Sequence, residues 1–245
     1  MSNKKYLFIC GCPRSGTTAL WNLVASHKDC VIGVERYGNR FFDKGFLSKN
    51  HFEKTRFFDN QPGDTFYPDL ANFNNYYIEA EKRFDEAAIV GDKIPLLFNY
   101  YNRLHESFPK ATVLMIFRNI FDVAASYSHR ASDESDATWN DDKGVASAIS
   151  DWASAIKAYR NWKDRMRIIV IDYEKLFIDG QGGDTLFEAI GLAPTNETAL
   201  KYKALLSRSV DLETRRARAL SAHDVKMLAV RAPFGGYREV LKDAI

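Results

Sequence analysis

"KYLFICGCPRSGTTALWNLVASH", residues 5–27, decides the fold. Its first six residues are an apolar run that reads as a short buried strand, and residues 17–27 have the pattern of a helix. Between them stands Gly11-Cys12-Pro13-Arg14-Ser15-Gly16, and strand, glycine loop, helix is the context a phosphate-binding loop demands. Backbone N–H groups at the start of a helix are unpaired and point into such a loop, and the helix dipole adds partial positive charge. Gly16 lets an anion approach closely, while Ser15, Thr17 and Thr18 add N–H and hydroxyl donors. A nucleotide triphosphatase has Gly-Lys-Thr here, with the lysine bridging the β- and γ-phosphates and the hydroxyl holding magnesium. In this chain Thr17 takes the lysine's place and the cation comes earlier, at Arg14. That suits a terminal group of low charge that needs no metal, such as a phosphosulfate. The plainer alternative is a ligand-free turn. Two glycines, a proline, an arginine and three hydroxyls within eight residues weigh against it.

Further strands are expected at 30–34, 87–92, 111–118 and 167–173, and helices at 70–86, 96–107, 120–130 and 143–163. Strands separated by helices pair in parallel through right-handed crossovers. The expected fold class is therefore α/β: a three-layer P-loop-type fold whose central parallel sheet of 4–5 strands is flanked by helices. With 245 residues, no repeat and no linker, one domain over 1–245 is expected, ending in a helical segment over 193–245.

Composition removes several classes of function. The 34 basic and 32 acidic residues leave a net charge of +2, so no global field argues for nucleic acid or a membrane surface. No stretch approaches the roughly 18–20 apolar residues of a membrane span, and no signal peptide opens the chain, so a cytoplasmic location is expected. Cys10, Cys12 and Cys30 are too few and too clustered for a disulfide framework. His27, His51, His105, His129 and His223 form no metal-ligand spacing, so no metal is expected.

At this point the sequence resembles the sulfotransferases that use 3′-phosphoadenosine 5′-phosphosulfate (PAPS), in particular the tyrosylprotein and bacterial carbohydrate branches. Their phosphosulfate loop, Pro-Lys/Arg-Ser-Gly-Thr-Thr, is matched by Pro13-Arg14-Ser15-Gly16-Thr17-Thr18. Their second motif is a strand ending in Arg with a Ser in the next helix. "VLMIFRNIFDVAASYSHR" supplies Arg118 and Ser126, with seven residues between them. The resemblance implies that this pair holds the 3′-phosphate. A forked guanidinium at a strand end suits a phosphate, although a surface ion pair with Asp122 would be the ordinary reading of Arg118 alone. The resemblance also puts Arg130, on the Ser126 face of its helix, and Tyr173, in "IDYEKL", beside the nucleotide.

The same resemblance implies the chemistry. Glu35 stands twenty-one residues beyond Arg14, the family spacing of the general base. A solvated glutamate is a weak base, so the role calls for a partly buried position. Lys93, in "GDKIP", is expected just past a strand, where with Arg14 it would stabilise charge on the bridging oxygen. An exposed, capping or ion-paired Glu35, with Arg36 as one partner, and a solvated loop Lys93 or one paired with Asp92, would be the unremarkable outcomes. His51 is the reserve base. Residues 36–86, rich in Phe and Tyr between 41 and 77, form the acceptor-side insertion, and most of those rings are expected in a core. The acidic loop 132–142 has five carboxylates and no cation, so a solvated loop is expected; selection of a basic acceptor is the second reading. Ser207, Ser209, Arg216 and Arg218 are unranked candidates for the rest of the nucleotide site, although a basic, solvated helix face is the expected reading of "ETRRARAL".

The expected function is transfer of a sulfuryl group from PAPS to a hydroxyl or amine of a small-molecule, carbohydrate or peptide acceptor, releasing adenosine 3′,5′-bisphosphate. A P-loop phosphotransferase or small-molecule kinase is the alternative, with Asp92 and Asp172 as its only magnesium candidates at strand ends. A non-catalytic nucleotide-binding protein is the third reading.

Overall fold

A computed structural model describes residues 4–41, 46–65, 73–133, 139, 142–216 and 220–245. Five strands, β1 (Lys5–Cys10), β2 (Cys30–Val34), β3 (Ile89–Lys93), β4 (Thr112–Phe117) and β5 (Arg167–Asp172), form one sheet in the order β2-β3-β1-β4-β5. Every pairing is parallel.

Helices cover both faces. They are α1 (Thr17–Val24), α2 (Lys54–Phe58), α3 (Asn74–Arg83), α4 (Tyr101–Ser107), α5 (Ile120–Ala131), α6 (Val145–Trp162), α7 (Tyr173–Phe177), α8 (Gly183–Ala189), α9 (Asn196–Arg216), α10 (Ala222–Arg231) and α11 (Phe234–Leu241). Successive strand residues point to opposite faces, and the core divides accordingly. Leu7, Ile9, Ile32, Leu114 and Ile171 pack with Leu20 and Leu23 of α1, Phe177 of α7 and Phe187 of α8. Phe8, Cys10, Val31, Met115 and Phe117 pack with Leu104 of α4, Tyr127 of α5, Trp152 of α6 and Leu228 of α10. The expected three-layer α/β architecture is what the chain forms.

Three boundary differences bear on the site. β3 runs to Lys93, so that residue closes the strand rather than following it. Glu35 N–H bonds to the Lys93 carbonyl at 2.8 Å and so extends the pairing beyond β2. Tyr173 opens a helix rather than ending a strand, because the Asp172 carboxylate caps α7 by accepting from the N–H groups of Glu174 and Lys175. The helix expected over 96–107 begins as a 3-10 turn at Pro95.

β2 lies at the sheet edge, and an open edge is a liability. α3 covers it. Tyr76 Oη accepts from Ile32 N–H and donates to the Ile32 carbonyl, both at 2.8 Å, and Tyr77 Oη accepts from Val34 N–H at 3.1 Å. The segment between β2 and α3 is pinned by charge. Asp64 is fully buried and accepts from Arg36 Nη1 (2.9 Å), Arg40 Nε (2.6 Å) and Arg56 Nη2 (2.6 Å). Burial alone would push this carboxyl up; the bonds from Arg56, Arg40 and Arg36 outweigh it and hold the group well below the ordinary carboxylate range. A depressed folded-state value stabilises at pH values above the unfolded-state value, and that contribution is lost as pH falls below it. Asp64→Asn should therefore cost about 3 kcal/mol at neutral pH. Urea denaturation checks this, and the gap between variant and wild type should narrow on acidification below about pH 4.

Of the aromatic run, Phe52 and Phe57 are core residues and Phe46 and Phe58 pack against the core. Phe42, Phe66 and Tyr67 lie outside the described residues, as does the Phe41 side chain.

Candidate functional site

β1 and β4 are neighbours whose following chains leave toward opposite sides of the sheet, β1 toward β2 and β4 toward β5. In parallel α/β sheets a ligand crevice forms at the carboxyl ends of such a pair. The sequence-predicted residues gather at those ends. Arg14 follows β1, Glu35 follows β2, Lys93 ends β3, Arg118 follows β4 and Tyr173 follows β5.

The loop after β1 is tightly determined. Gly16 caps α1 at φ 95°, and a Cβ there would stand 2.5 Å from the Tyr173 ring. Only glycine meets both demands. Arg14 is held at φ 69° and Glu35 at φ 50°; among the described residues they are the only non-glycine positions with positive φ. Such conformations cost about 1–3 kcal/mol each and persist where surrounding structure over-determines them, most often at functional sites. Ser15 Oγ is fully buried and makes no well-formed hydrogen bond; the Cys12 thiol beside it is a weak partner. A buried hydroxyl left in that state, in a loop of helix-start N–H groups, fits an anion. Thr17 is buried and Thr18 exposed at the head of α1.

The two halves of the expected donor site meet. Arg14 Nε donates to Ser126 Oγ at 2.8 Å, a contact across 112 positions that the motifs alone did not foretell. Ser126 is buried on α5. Arg118 does pair with Asp122, but not at the surface. It is 1% exposed, its Nε and Nη2 donate to Asp122 Oδ2 at 3.2 and 2.7 Å, and its guanidinium carbon lies 4.1 Å from the Tyr173 ring centroid. Asn119 ties this pair to α7 by donating Nδ2 to Asp122 Oδ2 (2.8 Å) and to Glu174 Oε1 (2.7 Å). Asn119 is also the N-cap of α5, accepting from Asp122 N–H. Sequence reasoning missed Asn119; an Asn directly before the helical run "IFDV" signals the cap, though not the bond to Glu174. Arg130, one turn after Ser126, places its guanidinium 4.8 Å from the Trp139 ring centroid.

At the other end of the crevice Lys93 Nζ donates to Glu35 Oε1 at 2.6 Å. Lys93 is 2% exposed at its side chain and Glu35 16%, so Glu35 has the partly buried setting its expected role calls for. Glu35 is ion-paired, as its unremarkable reading allows, but not with its neighbour: Arg36 turns away from Glu35 to Asp64, and Lys93 pairs with Glu35 rather than Asp92. Asp92 is itself fully buried and accepts from the backbone N–H groups of Arg36 (3.0 Å) and Tyr37 (2.9 Å). Burial pushes its carboxyl up to about 7, against those two bonds and the nearby Lys93 and Arg36 charges.

Other candidates settle elsewhere. His51 Nδ1 accepts from Ser48 N–H at 3.1 Å, its ring packs 5.2 Å from Tyr37, and burial together with Arg40 and Arg56 lowers its pKa. His27 bonds through Nε2 to the Ala193 carbonyl. Cys12 is buried against Tyr127, whose hydroxyl donates to Asp151. Ser207 is exposed on α9 and Ser209 is buried; the Arg216 side chain and Arg218 lie outside the described residues, as does most of the acidic loop. Tyr237, from the C-terminal "GGYREV", packs on Trp152 beside Glu174. Among the described residues no cluster of His, Cys, Asp and Glu could hold a metal, and no helix is long and apolar enough to cross a membrane.

With this geometry in view, comparison with known proteins is direct. The chain belongs to the sulfotransferase family, whose family match spans residues 7–183. The family's reaction is sulfuryl transfer, which makes the chain a transferase of that class. Solved structures share the fold at low identity. The sulfotransferase domain from the curacin biosynthetic pathway is 16% identical with a TM-score of 0.53, over 82% of this chain and 79% of that one. Sulfotransferase STF1 from Mycobacterium tuberculosis is 14% identical with a TM-score of 0.51, over 89% and 77%. Mouse sulfotransferase SULT7A1, solved in complex with PAP, is 12% identical with a TM-score of 0.51, over 98% and 84%. No curated protein matches the chain.

Proposed function

We propose that this chain transfers a sulfuryl group from PAPS to a hydroxyl or amine of a small-molecule, carbohydrate or peptide acceptor. The observation that carries the reading is the Arg14–Ser126 hydrogen bond, which joins the glycine loop to the helix that follows Arg118, and it supports one site for both charged ends of a donor. Ser15, Gly16, Thr17 and Thr18 would hold the 5′-phosphosulfate, and Arg118 and Ser126 the 3′-phosphate. Tyr173 and Arg130 would border the nucleotide. PAPS, when bound, supplies the sulfuryl group and its departure leaves adenosine 3′,5′-bisphosphate.

Glu35 accepts the proton of the acceptor hydroxyl as that oxygen attacks sulfur. Lys93 and Arg14 balance the charge that develops on the bridging oxygen as its bond to sulfur breaks. Before substrates arrive, Lys93 and Glu35 neutralise each other, so two opposite charges share a confined space at modest cost. Residues 1–245 read as one such domain, with 36–86 on the acceptor side and 193–245 a helical C-terminal segment.

The phosphotransferase alternative loses its magnesium ligands. Asp92 is spent on the N–H groups of Arg36 and Tyr37, and Asp172 caps α7. Calorimetry tests the choice. Adenosine 3′,5′-bisphosphate should bind equally well with magnesium or with EDTA. Tight magnesium-dependent ATP binding with no bisphosphate binding would sink the reading.

A further inference from the structure

A left-handed backbone at Glu35 needs a cause in the surrounding chain. Its φ of 50° costs free energy for any residue with a Cβ. The turn holding it is bonded to the end of β3 at every step. Glu35 N–H reaches the Lys93 carbonyl at 2.8 Å, Arg36 N–H reaches Asp92 Oδ1 at 3.0 Å, and Tyr37 N–H reaches Asp92 Oδ2 at 2.9 Å. The turn closes on itself through Gly38 N–H and the Glu35 carbonyl at 3.0 Å. Asp92 reaches across β2 because its register partner is Gly33, and a Cβ on Gly33 would stand 2.7 Å from Arg36 Cβ and 2.8 Å from Asp92 Oδ1. A fully buried carboxylate is costly, and this one spends both oxygens on two adjacent N–H groups.

We infer that Asp92 is a positioning residue: its carboxylate fixes the turn after β2 so that Glu35 is delivered to Lys93. It acts through Glu35 and touches neither substrate. The inference rests on the reading of Glu35 as the base.

Asp92→Asn preserves shape, but its amide turns a donor toward one of the two N–H groups. Two further readouts separate positioning from general damage. With an acceptor found by labelled-donor screening, kcat should fall about a hundredfold, the effect of displacing a catalytic group by about 1 Å. The KM for donor and the affinity for adenosine 3′,5′-bisphosphate should stay at wild-type values. A crystal structure of the variant should show Glu35 out of the left-handed region and its bond to Lys93 broken. Gly33→Ala pushes on both Arg36 Cβ and Asp92 Oδ1 without changing any charge; it tests whether this turn positions Glu35 and should give the same split, which covers an Asp92→Asn that does not fold.

Wild-type kcat in a folded variant overturns the inference. So does an unmoved Glu35, or a loss of bisphosphate binding that matches the loss of kcat. A wild-type protein that transfers nothing from PAPS removes the functional reading instead, while the variant structures still decide whether Asp92 holds the turn.

Discussion

Glu35→Gln is expected to lower kcat by about 10²–10⁴, the range that a positioned general base supplies. Affinity for adenosine 3′,5′-bisphosphate should be unchanged, because the glycine loop and the Arg118 half are built from other strand ends. The substitution keeps the shape and removes the catalytic role the proposal assigns, accepting a proton. It also breaks the 2.6 Å ion pair and leaves Lys93, 2% exposed, without its carboxylate. A stability loss of about 1–3 kcal/mol should accompany it. That loss is small beside a typical folding free energy of about 5–15 kcal/mol, so the variant should remain folded for assay. Glu35→Asp sharpens the result. It retains a base withdrawn by one methylene, so activity between wild type and Glu35→Gln is expected. Steady-state rates at saturating donor, with melting curves on the same samples, check all three proteins. Full activity in Glu35→Gln would remove Glu35 as the base and leave the fold untouched.

What the chain discloses in one dimension is what local chemistry determines. All five strands are readable because each is an apolar run bounded by turn residues, and β2 falls on the expected 30–34 without adjustment. Arg118 and Ser126 are readable because one strand end and one helix fix their separation. Less was legible where the cause is distant. Lys93 belongs to β3 because Glu35, 58 positions away, pairs with its carbonyl, and no local signal announces that. Arg36 looks like a partner for its neighbour Glu35, yet it is claimed by Asp64, 28 positions on. A carboxylate that satisfies three guanidinium groups leaves no periodic trace. Asp92 beside Lys93 suggests a charge pair, yet adjacency in sequence says nothing of strand geometry. Neighbouring residues in a strand point to opposite faces, so the two side chains diverge.

The arrangement at Arg118 follows the same logic and carries the second large effect. Arg118→Ala is expected to weaken adenosine 3′,5′-bisphosphate binding by about 2–4 kcal/mol, roughly 30- to 1,000-fold. Two costs add. The charge-assisted bond that the proposal gives Arg118 to the 3′-phosphate is lost, and the ring of Tyr173 loses the cation stacked 4.1 Å from its centre. The Asp122 carboxylate, 23% exposed, is left with Asn119 as its donor and without its ion-pair partner. Stability should therefore fall too, which raises the question of whether lost affinity means lost contact or lost shape. A ligand lacking the 3′-phosphate answers it. Adenosine 5′-monophosphate should bind wild type and Arg118→Ala with nearly equal affinity, while the bisphosphate discriminates strongly between them. Equal losses for both ligands would make Arg118 a scaffold residue clamped by Asp122 and Tyr173, and would move the 3′-phosphate elsewhere. Arg118→Lys should recover only part of the difference. A lysine keeps the charge but cannot engage Asp122 and a phosphate together through a planar fork.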